Sequence, residues 1–223
     1  MNETKLAVPN LRVARPADAH ALSALMRSTF MAANGHCTTA ENLAKFLDAC
    51  YTPEIQLREI RDPGVHTVLV EERTGLRGYA QLRWTTAAPR EFGEVAVELG
   101  RIYLIPKVQR SGIGSELMQY LLRQARVGGA SLVWLNVWQE SAGAIAFYRK
   151  HGFQIVGETL FEVGNESKED WLMTRSLGDE SPASSGCREK FRTEPSSDGS
   201  GQAHVDSLDD RTGDSATGRR IRR

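Results

Sequence analysis

The chain has few cysteines and no long apolar run. Its three cysteines, Cys37, Cys50 and Cys187, are odd in number and lack Cys-x-x-Cys spacing. This pattern argues against a disulfide framework and against a zinc site, so we expect no bound metal. No stretch approaches the ~18 apolar residues that cross a membrane, and the N-terminus lacks the apolar core of a signal peptide. We therefore expect a cytoplasmic protein without a membrane partner.

An excess of charge of one sign is also absent. Lysine and arginine together number 28, aspartate and glutamate also number 28, and the formal net charge is zero. Nucleic-acid-binding domains usually carry a basic surplus, so we expect no nucleic-acid partner. The one local exception is the basic cluster at residues 219–223. This cluster suits an acidic partner, or it is an incidental solvated terminus.

What is present divides the chain into a domain and a tail. The 223 residues are 40% hydrophobic, which is enough for one substantial core. From about residue 178 onward the sequence is rich in Ser, Gly, Asp, Glu, Arg and Thr, with only isolated apolar residues. Such a segment cannot build an apolar face that would offset its ordering entropy. We predict a folded domain over residues 8–177 and a disordered polar tail over residues 178–223.

The folded part alternates between strand and helix patterns. The predicted elements are strand Leu11–Arg15, helices beginning near Pro16, Thr38 and Pro53, hairpin Thr67–Val70 with Tyr79–Trp84, strand Val95–Ile105, helix Ser115–Val127, strand Leu132–Val137, helix Ala142–Lys150, and hairpin Phe153–Val163 with Trp171–Thr174 around Gly164. Thr38 and Glu41 have the spacing of a capping box. The central strand–helix–strand unit predicts parallel strands with a right-handed crossover. The pattern indicates an α/β domain.

A glycine-containing loop opens the helix of this central unit. Residues 109–114 read Gln-Arg-Ser-Gly-Ile-Gly. A loop of this kind leaves backbone N–H groups unpaired at the positive end of the helix dipole, where they suit a phosphate. A Walker loop would need Gly-Lys-Ser/Thr, and a dinucleotide fingerprint would need a third glycine near Leu117; both are missing. The alternative is an ordinary turn between strand and helix.

A second motif follows the strand Leu132–Val137. Residues 139–153 read Gln-Glu-Ser-Ala-Gly-Ala-Ile-Ala-Phe-Tyr-Arg-Lys-His-Gly-Phe. In this order, one helix and one strand apart, the two motifs resemble the pyrophosphate loop and the closing segment of the GNAT superfamily of acetyl-CoA-dependent N-acetyltransferases. The resemblance covers roughly residues 8–177. It implies an α/β GNAT fold: a mixed, mostly antiparallel sheet with a central splayed parallel strand pair and helices on both faces.

The resemblance implies acetyl-CoA as the acetyl donor and a set of residues that bind it. Backbone groups of one strand would hold the pantetheine arm and the thioester carbonyl, and the loop would hold the pyrophosphate. The implied residues are Ile102, Tyr103, Leu104, Gln109, Arg110, Ser111, Gly112, Ile113, Gly114, Ser115 and Ser141. Ser141 stands where the family usually has asparagine. Serine is a competent helix N-cap, but its shorter side chain puts the usual amide contact in doubt.

Two residues are candidates for the chemistry. By resemblance, Tyr148 matches the tyrosine whose phenol protonates the leaving thiolate, and a packing aromatic is the alternative. Glu98 lies in an otherwise apolar strand, on the side of Gly100, Ile102 and Leu104 if side chains alternate.

Burying a carboxylate in an apolar strand is costly, so such a residue is expected to have either a catalytic role or a charged partner. We interpret Glu98 as the base that deprotonates the amine, directly or through water. The alternative is an ion pair with an arginine such as Arg101 or Arg83. In some family members the base lies on the second strand, at the position of Asn136, and asparagine cannot act as a base.

The acceptor is an amine whose identity the sequence leaves open. Family members grip it with segments that correspond here to Phe30–Tyr51 and Val156–Trp171. These segments are rich in carboxylates, among them Glu41, Asp48, Glu158, Glu162, Glu166 and Asp170. Such a set suits a polycation or simply solvates the surface. The overall pattern is most similar to bacterial spermidine/spermine acetyltransferases, so we expect a small primary amine such as a polyamine.

Two other functions are compatible with the resemblance. One is acetylation of a protein N-terminus or lysine, which needs an open groove between the two acceptor segments. The other is a non-catalytic acetyl-CoA-binding sensor with the tail as its effector segment. Because many relatives dimerise, a homodimer is left open.

Overall fold

The structure is a computed structural model that describes residues 10–89, 92, 95–163 and 165–178, together with the backbone of residues 220–221. The elements are β1 (Asn10–Val13), α1 (Ala19–Asn34), α2 (Ala40–Cys50), α3 (Pro53–Arg61), β2 (Val65–Glu72), β3 (Gly75–Arg83), β4 (Ala96–Leu104), α4 (Ile113–Val127), β5 (Leu132–Trp138), α5 (Ala142–Lys150), β6 (Gln154–Val163), β7 (Glu166–Ser176) and β8 (Arg220–Ile221). Gly164, and the predicted tail apart from Gly178 and β8, lie outside the described residues.

The strands form one mixed sheet in the order β1-β2-β3-β4-β5-β7-β6-β8. Every pairing is antiparallel except that between β4 and β5, which is parallel and is crossed over by α4. Strand β8 contributes a two-residue pairing along the outer edge of β6. The predicted fold class is confirmed: a mostly antiparallel sheet with a single central parallel pair and helices on both faces.

The two faces of the sheet carry two separate apolar clusters. On one face, α4 packs its stripe of Leu117, Met118 and Leu121, all at most 1% exposed, against the centre of the sheet and α5. On the opposite face, α1 and α2 pack around Phe30 and Phe46. We call these the α4 face and the α1 face. A side chain's position in the strand alternation therefore decides which helices it meets.

Helix starts follow the predicted signals with one correction. Pro53 begins α3, and Thr52 caps it by accepting a hydrogen bond from the Ile55 amide. The N-cap of α2 is Thr39, which accepts from the Asn42 amide, so the capping box predicted at Thr38 is wrong by one residue. No helix in the described ranges is long and apolar enough to cross a membrane.

Candidate active site

Strands β4 and β5 lie side by side at one end and separate toward the other. They pair only where Ala96–Glu98 lies opposite Leu132–Trp134. Beyond that point β4 stays paired with β3 and β5 with β7, and no described strand lies between their facing edges. Successive residues of a strand direct their N–H and C=O groups to alternate edges, so part of the Ile102–Leu104 backbone faces this opening and needs other partners. The opening, which we call the slot, fits an extended chain that carries amides.

The loop between β4 and α4 continues from the end of the slot. Arg110 and Gly112 both adopt left-handed backbone angles, with φ of 60° and 93°. The amides of residues 110–114 donate to no acceptor within the described ranges, whereas those of Ser115 and Glu116 bond to the Gly112 carbonyl. A Cβ added at Gly112 would meet no atom within 4 Å, so the space beside it is open. Consecutive free amides at a helix N-terminus form a concave anion site.

Most side chains of the loop brace the loop itself. Gln109 Nε2 donates to the Leu104 carbonyl at 3.0 Å, and Ser111 Oγ donates to the Val108 carbonyl at 2.6 Å. Gly114 lies against α5, because a Cβ there would come within 3.4 Å of the Phe147 ring. The loop is thus braced by its own side chains and by α5, while the backbone amides of residues 110–114 are left without acceptors in the described ranges.

Helix α5 follows β5 and carries Tyr148. This half-buried ring packs edge-on against Phe147 and Phe153, with centroids 5.6 and 5.8 Å apart. Burial raises the pKa of the Tyr148 phenol well above its ordinary value, and the neighbouring phenol of Tyr103 raises it further. Tyr148 belongs to the α4 face and Tyr103 to the α1 face, so the two phenols approach each other from opposite sides of the sheet. The Tyr148 phenol therefore stays protonated at neutral pH.

Two further residues mark the ends of α5. Ser141 is the N-cap of this helix by position, but its hydroxyl makes no capping hydrogen bond, which corrects the expected capping role of its side chain. At the other end, His151 Nε2 lies 3.2 Å from Ser115 Oγ in the first turn of α4. Burial lowers the pKa of His151, and Lys150 and Arg175 lower it further. The contact between His151 and Ser115 therefore joins the C-terminal end of α5 to the N-terminal end of α4.

A β-bulge in β4 decides which face Glu98 occupies. Glu98 pairs with Arg83 and Leu99 with Leu82, but the next pair joins Arg101 to Gln81, so Gly100 is an extra residue. Paired residues of antiparallel strands point to the same face, and the extra residue interrupts the alternation. Glu98 therefore lies on the α1 face, with Arg101 and Tyr103. The expectation that it shares a side with Gly100, Ile102 and Leu104 is wrong.

Glu98 is buried beside a compact ionic cluster. Its exposed fraction is 2%. Glu59 of α3 reaches the sheet, where its carboxylate lies 2.5 Å from Arg83 Nη2 and 2.7 Å from Arg101 Nη1. The Gln81 amide completes the cluster, because its Oε1 accepts from both guanidinium groups and its Nε2 donates to Glu59. We call these four residues, Glu59, Gln81, Arg83 and Arg101, the ionic cluster.

The electrostatics of the ionic cluster follow from burial and pairing. Burial opposes the charged form of Glu59, but the two arginines outweigh it and lower the pKa of its carboxyl. Burial likewise opposes the charge of Arg101, yet Glu59 raises its pKa overall. The pKa of Arg83 is lowered by burial and by Arg101, with Glu59 and Glu98 acting in the opposite direction. The charges of Glu98 and Arg83 therefore attract each other, and Arg83 also donates a hydrogen bond to Glu59.

The α1 face beyond the slot is walled by the two segments predicted to hold the acceptor. Asn42 of α2 donates to the Glu166 carboxylate at 2.9 Å and accepts from the Asn165 amide at 3.2 Å. His36, between α1 and α2, lies with its ring centroid 6.2 Å from that of Trp138. Helix α2 and the β6–β7 hairpin are therefore tied together above the sheet.

Sequence reasoning missed the ionic cluster and the burial of Asp170. Asp170 is 6% exposed and lies in the middle of β7, opposite Trp138 and Thr159. Glu59 and Gln81 are far apart in sequence, and no local motif joins them. The bulge did leave a signal, because an isolated glycine such as Gly100 inside a strand pattern often marks one.

Comparison with known proteins agrees with this geometry. The sequence profile described as the Acetyltransferase (GNAT) family matches residues 26–153. An uncharacterized N-acetyltransferase of Mycobacterium bovis is 32% identical over 160 residues, which are 72% of this chain and 98% of the relative. The N-alpha-acetyltransferase RimI of Mycobacterium tuberculosis is 33% identical over 135 residues, 60% of this chain and 80% of the relative.

A solved structure has the same fold. The crystal structure of the PaiA N-acetyltransferase of Thermoplasma acidophilum in complex with coenzyme A superposes with a TM-score of 0.63. The match covers 75% of this chain and 98% of that one, at 19% sequence identity. At this identity the likeness concerns the fold.

Proposed function

The chain belongs to the acetyltransferase (GNAT) family, and from this premise we propose that it transfers the acetyl group of acetyl-CoA directly to a primary amine of a small molecule. Membership makes the protein an acyltransferase, which sets aside the alternative of a non-catalytic sensor. One observation carries the proposal: the slot between β4 and β5 leads directly to the free amides of residues 110–114. An acyl-CoA has amides along its arm and a pyrophosphate beyond them, in the same order.

The donor would be held mainly by backbone. We assign the pantetheine arm and the thioester carbonyl to the Ile102–Leu104 edge of the slot, and the pyrophosphate to the amides of residues 110–114. Backbone donors aimed at the carbonyl would also stabilise the oxyanion of the tetrahedral intermediate. Ser141, whose hydroxyl is not used in capping, and Ser115, beside His151, would provide side-chain hydrogen bonds to the donor.

We assign the proton transfers to Tyr148 and Glu98. The amine nitrogen attacks the thioester carbon, the carbon–sulfur bond breaks, and the sulfur leaves as a thiolate. The Tyr148 phenol gives its proton to the thiolate, while Glu98 takes a proton from the nitrogen. Glu98 lies in the paired part of β4, four residues before Ile102, so we route its proton through a water molecule. The burial that raises the Tyr148 pKa makes the phenol a weaker acid than an ordinary tyrosine, so its proton transfer to the thiolate is an uphill step.

The acceptor is proposed to be a small amine because the acceptor segments are tied together. A protein acceptor would need to lie between α2 and the β6–β7 hairpin, where Asn42 bonds to Glu166 and to the Asn165 amide. Polyamines are the first acceptors to test, since the acceptor segments are rich in carboxylates.

A second candidate function is acetylation of a protein N-terminus. The similarity to RimI, named as an N-alpha-acetyltransferase, favours it over part of the chain. This function would require the hydrogen bonds between α2 and the hairpin to open during each catalytic cycle.

An acceptor panel tests the proposal. The full chain is incubated with acetyl-CoA and spermidine, butane-1,4-diamine, butylamine or a peptide with a free N-terminus and a lysine. Free thiol is followed against a blank without acceptor, and the product is identified by mass spectrometry. We expect kcat/KM for at least one small amine to exceed that for the peptide by about tenfold or more, a difference of ~1.4 kcal/mol. A preference for the peptide would overturn the proposal in favour of protein acetylation.

A further inference from the structure

His151 lies where the C-terminal end of α5 meets the first turn of α4. It is the C-cap of α5, and its amide bonds to the Tyr148 carbonyl at 2.9 Å. The half-buried imidazole packs on Phe147, with ring centroids 4.7 Å apart, and its Nε2 lies 3.2 Å from Ser115 Oγ. The backbone is held from the sheet as well, because Arg175 Nη1 donates to the His151 carbonyl at 2.5 Å. These contacts hold the ring with its Nε2 edge toward α4.

The surroundings of His151 keep it neutral in the free protein. Burial is the main cause that lowers the pKa of His151 below its ordinary value of 6.5, and the positive charges of Lys150 on α5 and Arg175 on β7 lower it further. On the side of α4 the ring meets the uncharged hydroxyl of Ser115, and the first-turn carboxylate of Glu116 is exposed. At pH 7 the imidazole therefore carries a proton on one nitrogen only.

The hydroxyl of Ser115 is the group through which this residue can bind an anion. Ser115 is half-buried in the first turn of α4, next to the amides of residues 110–114, which donate to no acceptor in the described ranges. Its own amide is already used, since it donates to the Gly112 carbonyl at 2.9 Å. The space beside Gly112 is open, because a Cβ there would meet no atom within 4 Å. A phosphate bound by these amides would lie next to the Ser115 side chain.

Two arrangements of the protons satisfy the contact between His151 and Ser115. If Nε2 accepts, the Ser115 hydroxyl gives its only hydrogen to the imidazole and presents lone pairs to the loop. If Nε2 carries the proton and donates to Oγ, the hydroxyl hydrogen is free to bind another acceptor. An anion is repelled by the lone pairs of the first arrangement and accepts a hydrogen bond from the second.

We propose that His151 is a positioning residue for the acetyl donor: its Nε2–H donates to Ser115 Oγ and directs the hydroxyl hydrogen to an oxygen of the pyrophosphate. The inference rests on the proposed function, which assigns the pyrophosphate to the loop. It adds a residue of α5 that acts on the donor through a side chain of α4.

Protonation of His151 strengthens this arrangement. An imidazolium carries hydrogen on both nitrogens, so it can only donate to Ser115, and its charge attracts the pyrophosphate. The bound donor therefore raises the pKa of His151 above the lowered value of the free protein. Binding then takes up a proton, and the affinity for acetyl-CoA increases as the pH falls from the pKa of the complex to that of the free protein.

Substitutions at His151 test the inference through the affinity for the donor. Kd for acetyl-CoA is measured by calorimetry with the full chain between about pH 5.5 and about pH 8. His151→Ala should raise Kd about tenfold, whereas His151→Gln keeps an N–H donor of similar reach and should stay within about threefold of the unmodified protein at about pH 8. Neither variant can take up the proton, so both should lose the gain in affinity at low pH. The 3′-phosphate of the donor titrates near pH ~6 as well, and its contribution is common to all the proteins.

Two controls separate positioning from a structural effect. His66→Gln replaces another half-buried histidine whose pKa is lowered by burial; this ring stacks on Tyr120 of α4, and Kd should stay unchanged. Acetylpantetheine keeps the arm and the thioester but lacks the pyrophosphate, so kcat/KM with this donor should be the same in His151→Ala and the unmodified protein. In Ser115→Ala, the further change His151→Ala should alter Kd less than about twofold, because His151 acts through the hydroxyl.

The outcomes separate this inference from the proposed function. An unchanged Kd in His151→Ala, a gain at low pH that persists in His151→Gln, or an equal loss with acetylpantetheine overturns the role of His151 while the function stands. Additive losses in the double variant would show that His151 acts without Ser115 and would also overturn it. A failure of the unmodified protein to bind acetyl-CoA overturns the proposed function itself. If His151→Ala does not fold, the pH dependence of His151→Gln decides.

Discussion

At the scale of single residues, the candidate acid and base lie on opposite faces of the sheet. Tyr148 lies on the α4 face, and the bulge at Gly100 turns Glu98 to the α1 face. The acceptor segments also lie on the α1 face, so an amine entering from there would meet Glu98, and the thiolate would leave toward Tyr148. We therefore expect substitutions of Tyr148 and Glu98 to have different effects.

Removing the Tyr148 hydroxyl should affect chemistry rather than binding. Tyr148→Phe keeps the ring and its contacts with Phe147 and Phe153, and it removes the proton. We expect kcat at saturating amine to fall by at least ~10²-fold, while Kd for acetyl-CoA measured by calorimetry changes less than about threefold. Tyr120→Phe is the control, since this half-buried tyrosine of α4 stacks on His66 and should leave kcat unchanged. An unchanged kcat in Tyr148→Phe would show that the hydroxyl takes no part in the chemistry and that the ring only packs against its neighbours.

Removing the charge of Glu98 should alter the pH profile. If Glu98 is the base, Glu98→Gln should lower kcat/KM by about 10²-fold or more and remove the acidic limb of its pH dependence. The alternative is a structural counter-ion for the half-buried Arg83, whose pKa the charge of Glu98 raises. In that case the melting temperature would drop, while the pH profile of the folded enzyme would keep its shape.

At the scale of elements, the side chain of Glu59 links α3 to the sheet through ionic contacts. Glu59 is the carboxylate of the ionic cluster, with 15% of its side chain exposed, and it neutralises two half-buried arginines. Surface pairs such as Glu41 with Lys45 on α2, in contrast, are strongly exposed and contribute little. The cluster also accounts for the glycine at the bulge, since a Cβ at Gly100 would lie 2.9 Å from Arg83 Cδ.

Removing the Glu59 charge should destabilise the fold in a pH-dependent way. Glu59→Gln leaves two half-buried guanidinium groups without their counter-ion, and we expect a loss of about 3 kcal/mol at pH 7. The Glu59 pKa lies below its ordinary value of 4.5, so its stabilising effect is complete above that pH and is lost as the pH falls through the lowered pKa. Urea unfolding at several pH values should show the gap between the two proteins narrowing below about pH 4.5. Glu41→Gln should unfold like the unmodified protein, and a constant gap would contradict the assignment.

At the scale of the whole molecule, local patterns predicted the fold and long-range contacts escaped prediction. The loop before α4 and the start of α3 depend on residues close together in sequence, and both were located correctly. The ionic cluster joins α3 to β3 and β4, and Asp170 is buried where β7 pairs with β5 and β6. Such contacts arise only when distant segments pack together. The side of Glu98 was mispredicted because one extra residue inverts the alternation of a strand.

Binding of acetyl-CoA should stabilise the whole domain through the loop. A ligand that binds only the folded state adds about 2.7 kcal/mol at a hundredfold excess over its Kd. Gly112→Asp should abolish this gain, because its side chain would enter the open space beside the free amides and repel the pyrophosphate. Gly129→Asp is the matched control: Gly129 also has a left-handed φ, of 83°, and open space around it, but it lies beyond the far end of α4.

The comparison of these two variants isolates anion binding from backbone strain. Both replace a glycine of positive φ with the same charged residue, so both should lower the melting temperature of the free protein. Only Gly129→Asp should recover stability when acetyl-CoA is added. A ligand that binds the folded domain raises its melting temperature, so the thermal shift measures acetyl-CoA binding even when the amine acceptor is unknown. An equal shift in the two variants would show that the pyrophosphate binds elsewhere, and the assignment of the loop would fail.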